Sequence, residues 1–151
     1  MDPASTSIGR TLPIDGALLS DVLLRFRRDS SASAQRWTLG DLGAAEVDVS
    51  FVSAGAAWTT TARLWNQTGL AVTAATVQVI ATGADEVRVT LVPTVPPAPA
   101  WGREGRLLAD LARATLDELA EELLWHATRA GLTQSSKHRA VRRTLVSFGR
   151  T

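Results

Sequence analysis

Residues 46–92 read as strands joined by short turns, and one long amphipathic segment from about Trp101 to Thr128 follows them. That order constrains the fold more than any other feature of the chain. In Glu46–Val52, Val47, Val49 and Phe51 alternate with Glu46, Asp48 and Ser50, the pattern of a strand with one wet face. Ala57–Trp65 sets Trp58, Thr60, Ala62 and Leu64 against Thr59, Thr61, Arg63 and Trp65. Val72–Ala81 puts Val77 and Val79 on one side, and Glu86–Val92 does the same with Val87, Val89 and Leu91. Ala54-Gly55-Ala56, Asn66–Gly69 and Gly83–Asp85 supply the turns. No crossover helix fits between these strands, so their pairing is antiparallel.

The long segment behaves as a helix when its residues are placed at about 100° steps. Leu108, Leu111, Ala112, Thr115, Leu119, Leu123 and His126 fall on one side. Arg106, Asp110, Arg113, Asp117 and Glu121 fall on the other. A sheet with one apolar face and a helix with one apolar stripe bury those surfaces against each other. The expected fold is therefore α+β, an antiparallel sheet gripping one long C-terminal helix, with Gly131 marking the helix end.

Upstream, Ser5–Ile14 reads as a first strand with Ile8, Leu12 and Ile14 at period two and Arg10 on the same face. Asp15 is placed to cap a helix from Gly16 to Arg28, whose Leu19, Val22, Leu23 and Phe26 form a core-facing stripe. Asp29–Gln35 is small and polar, a loop or a short second helix. The chain divides into one domain over residues 1–130 and a flexible basic tail over 131–151.

Charge separates the same two regions. Residues 1–130 hold 11 basic and 15 acidic residues, whereas 131–151 hold Lys137, Arg139, Arg142, Arg143 and Arg150 with no acid. A basic tail of this kind is either a solvated chain end or a contact for an acidic partner, although Val141, Leu145, Val146 and Phe148 give it apolar docking points. The 151 residues suffice for a core without cross-links, and the absence of cysteine excludes disulfides and thiolate chemistry. That absence fits a cytoplasmic protein. The N-terminus MDPASTSIGR lacks the pattern of a signal peptide, and no run is apolar enough for a membrane span. One lysine among sixteen basic residues, with abundant alanine, points to a GC-rich bacterial source.

Three segments carry a family resemblance: SIGRTLPIDGALLSDVL (residues 7–23), GADEVRVTLVP (83–93) and the helix from Trp101 to Thr128. In this order they resemble the helix-grip, or SRPBCC, superfamily of START-type lipid-binding domains, polyketide cyclases and birch-pollen-allergen-like proteins. SIGRTLPIDGALLSDVL is similar to the superfamily's opening strand running through a proline into the first helix. GADEVRVTLVP is similar to its final hairpin, before a proline-rich approach to the closing helix. The usual aromatic of the first helix is replaced by Val22, and the proline-tryptophan segment after it is missing. The resemblance implies a ligand cavity between sheet and helix.

Candidate chemistry is sparse. His126 and Glu122 stand one helical turn apart, either an acid/base couple or simply a polar helix end. A third ligand for a metal is not evident, and neither metal nor cofactor is expected. Arg10, if inward, would anchor a ligand anion; the alternative is an edge arginine whose stem packs while its head reaches water. No phosphate-binding loop or nucleophile elbow occurs, and the acidic body disfavours nucleic acid as a partner. Two functional expectations follow. The first is binding of an apolar small molecule, a lipid, aromatic or polyketide-like compound, lined by Phe51, Trp58, Thr60, Val77, Val79, Val89, Leu111, Thr115 and Leu119 with Arg10 and His126 as polar anchors. The other is a protein–protein interaction module with a filled core, acting through exposed tryptophans or the basic tail.

Overall fold

In the computed structural model residues 7–67, 72–93 and 103–150 are described, with side chains of the last segment described over 106–131. The chain runs through strand β1 (Ile8–Leu12), helix α1 (Leu19–Asp29), then β2 (Ala34–Thr38), β3 (Gly43–Asp48) and β4 (Val52–Ala54). Strands β5 (Ala57–Asn66), β6 (Val72–Gly83) and β7 (Glu86–Pro93) lead to helix α2 (Arg103–Arg150). One sheet takes the order β1-β7-β6-β5-β3-β2, with β4 also on β5. Every pairing is antiparallel. The sheet packs one face against α2, and α1 lies beside α2, so the α+β helix-grip arrangement is the fold.

Local chemistry sets these elements. The Asp15 carboxylate accepts the Ala17 N–H at 2.9 Å, and a single 3-10 turn over Gly16–Leu18 leads into α1. Leu19, Val22, Leu23 and Phe26 of α1 are buried, as their spacing requires. Along α2, Leu111, Ala112, Thr115, Leu119, Leu123 and His126 are buried, while Arg106, Asp110, Arg113, Asp117 and Glu121 are exposed. Leu116, Ala120 and Ala130 widen the buried stripe. Alanines at 45, 62 and 75 on the sheet and 112 and 120 on the helix are buried in the core between the two layers.

Three boundaries differ from the sequence pattern. The expected strand over residues 46–52 is split: Val47 pairs with Ala62 and Val52 with Thr59, so residues 48–51 oppose only residues 60 and 61. The excess is held in a local turn, where the Asp48 carboxylate accepts the Ser50 N–H at 2.8 Å and the Thr60 hydroxyl donates to the Asp48 carbonyl at 2.9 Å. Ala34 and Gln35, the end of a segment expected as a loop or a short second helix, join residues 36–38 in the edge strand β2; AQRWT lacks alternation because neither face of an edge strand is fully covered. Finally, Gly131 does not end α2, which continues to Arg150. Gly131 is absent from the glycines with positive φ, so it takes no left-handed cap conformation. The side chains of the basic segment 132–150, and Trp101, lie outside the described residues.

Candidate functional site

The residues expected to line a ligand cavity lie along the helix–sheet seam, and the seam is closed. Val77, Val79, Val89, Thr115 and Leu119 each have 0% of their surface exposed. A water-sized space against any of these side chains would leave it accessible surface, so none touches such a void. Leu111 is buried, and Thr115 turns its hydroxyl back to the Leu111 carbonyl at 2.7 Å, satisfied within the helix. Thr60 is likewise satisfied by the strand turn already described. Phe51 and Trp58 are half-buried at the end of the seam, where Phe51 meets Phe26 edge-on at 6.2 Å between ring centres.

Arg10 does share the helix-facing side of β1, but its guanidinium is not buried. It donates to the Asp117 carboxylate at 2.8 Å, with side chains 41% and 55% exposed. Its aliphatic stem packs and its head reaches water, the latter of the two arrangements open at the sequence level.

His126 departs from the simple picture of a wet helix end. It is only 2% exposed, wedged between Phe26 and Trp125 in edge-on contacts at 6.1 and 4.8 Å. Its Nδ1 stands 3.7 Å from Asp29 of α1 and its Nε2 3.8 Å from Glu122, both beyond hydrogen-bond reach. Nδ1 has no hydrogen-bond partner. Burial pushes its pKa below the usual histidine value, opposed by the nearby Asp29 and Glu122 carboxylates and reinforced by Arg129 and Arg25. Burial thus favours the neutral imidazole, which packs between α1 and α2. Among the described residues no set of three histidine or carboxylate side chains is placed to hold a metal ion.

An open groove lies along one flank of α2. Glu118, Glu121, Glu122 and Trp125 line a groove of about 330 Å³. Trp125 is 49% exposed, and the Arg129 guanidinium stacks on its ring 4.5 Å from the centre. Three carboxylates beside an indole that already accepts a guanidinium form a surface chemically suited to cations. In the sequence pattern Trp125 falls on the helix flank and Glu122 near the helix end. Nothing there joins them, because Glu118 and Glu121 look like ordinary solvated charges until the groove is seen. Another hollow of about 160 Å³ lies by β2 and β3, bordered by Glu46, Asp48 and Arg63. Neither is lined by any of the residues expected to contact an apolar ligand. No described helix is long and apolar enough to cross a membrane.

Comparison with known proteins returns no matching family model, curated protein or solved structure. The functional reading therefore rests on this chain's own geometry.

Proposed function

We propose that the protein is an interaction module that captures a cationic, arginine-bearing protein segment in the α2 groove. The observation that carries this reading is the groove itself: an exposed tryptophan flanked by Glu118, Glu121 and Glu122, on a domain whose interior seam is shut. A guanidinium entering it stacks on the indole and exchanges water for carboxylates, a combination that favours arginine over lysine. We also propose that the scaffold descends from the helix-grip superfamily it resembles, with small side chains having closed the space where relatives would hold a ligand.

The test is a calorimetric titration with a short arginine-rich peptide at low salt, alongside a lysine-rich peptide of equal charge. Saturable, salt-sensitive binding that prefers arginine is expected. Trp125→Ala and the pair Glu121→Gln/Glu122→Gln should each weaken it by about tenfold, a loss typical of an interface anchor. Absence of saturable binding, or binding indifferent to these changes, would overturn the proposal.

A further inference from the structure

The occupant of the groove can be named, on the basis of the interaction reading above. The strongest concentration of positive charge in the chain lies on the same helix, in Lys137, Arg139, Arg142, Arg143 and Arg150, with no acid after residue 130. Helix α2 is continuous from Arg103 to Arg150. A continuous helix cannot fold back on itself, and positions 122 and 143 are separated by about 30 Å along its axis. The segment therefore cannot reach its own groove. In another copy it can.

Helical register makes the match specific. At 3.6 residues per turn, about eighteen residues complete five turns. Position 139 thus shares a side of the helix with position 121, and position 143 with position 125. One side reads acidic at 118, 121 and 122, aromatic at 125 and basic at positions 139 and 143. Two such helices laid parallel put acid on acid. Laid antiparallel about a two-fold axis near residue 132, they set the acids of each against the arginines of the other, and both contacts form together. We propose that α2 pairs antiparallel with α2 of a second copy, positions 139 and 143 of each lying against Glu118, Glu121, Glu122 and Trp125 of the other.

Sedimentation velocity of the full chain tests this. A dimer at low salt that dissociates toward about 0.5 M salt is expected, where the screening length falls to about 4 Å. Glu121→Arg/Glu122→Arg and, separately, Arg139→Glu/Arg143→Glu should each be monomeric, with dissociation constants raised at least about tenfold by like-charge contacts. Mixing the two variants should restore a dimer, because each reversed groove then meets a reversed segment. Melting curves of each variant at low concentration check folding, and the milder Glu121→Gln/Glu122→Gln serves if a reversal unfolds. A chain monomeric at low salt and high concentration overturns the proposal, as does a dimer unaffected by the groove variants or a mixture that stays monomeric. Peptide binding at the groove by a monomeric chain would overturn self-pairing and leave the interaction module intact. Loss of both would remove both.

Discussion

His126 shows how one side chain couples packing to pH. In the unfolded chain it titrates near 6.5, and in the fold burial lowers that value. Between the two values the unfolded state binds the extra proton, so stability rises with pH. The contribution of neutral His126 is therefore complete above about pH 6.5 and declines as pH falls below it. Thermal melts from pH 7.5 down to 5 should show this decline, and His126→Phe, which keeps the edge-on contacts with Phe26 and Trp125, should flatten it. An unchanged slope in the variant would assign the pH response to other groups. Arg10 and Asp117 give the opposite case. Their ion pair is exposed on both sides, so Arg10→Ala should alter stability by less than about 1 kcal/mol in urea denaturation.

The helix–sheet seam is the element that holds the fold. Leu119 lies at its centre with no exposed surface, so Leu119→Asp would strand a carboxylate without partners and should cost more than about 4 kcal/mol. Asp117→Ala, on the outer side of the same turn, should cost under about 1 kcal/mol by the same measurement. Gly43 at the start of β3 is another sensitive point: its φ is 135°, and a Cβ there would run into the Trp65 carbonyl. Gly43→Ala should destabilise by more than about 1 kcal/mol. The seam was legible because its residues repeat at period two on the strands and 3.6 on the helix, and periodicity survives in sequence. Gly43 was not, since nothing in GDLG distinguishes the glycine at 43 from the one at 40. The split of β3 from β4 was hidden for a similar reason: Phe51 keeps the alternation while the backbone turns. Among the candidate residues, Thr115 and His126 were placed correctly on the buried stripe. What they touch depends on how closely the helix approaches the sheet, which is set by residues far apart in the chain.

At the scale of the whole molecule, the question is whether the space between sheet and helix is ever open. Sheet-and-helix grips can enclose a ligand only if space is left between the layers, and here Ala45, Ala62, Ala75, Ala112 and Ala120 are all buried in the core. Binding an apolar molecule inside would require α2 to lift from the sheet, exposing five turns of buried leucine and alanine at roughly 25 cal/mol per Å² of apolar surface. An opened state would then be rare at equilibrium, and an environment-sensitive apolar dye should show no saturable binding below the melting transition. Thr115→Trp sharpens the test, because Thr115 faces the sheet with no exposed surface and its hydroxyl already satisfied. A closed seam cannot take the indole without displacing the helix, so the variant should lose more than about 3 kcal/mol, at or beyond the usual range for overpacking. A seam that opens would accept it, leave the melting temperature nearly unchanged and, in the wild type, bind the dye. Dye binding together with a well-folded Thr115→Trp would return the function to the interior; a destabilised variant and a dye-free wild type would exclude an interior ligand and leave the proposed α2 groove standing.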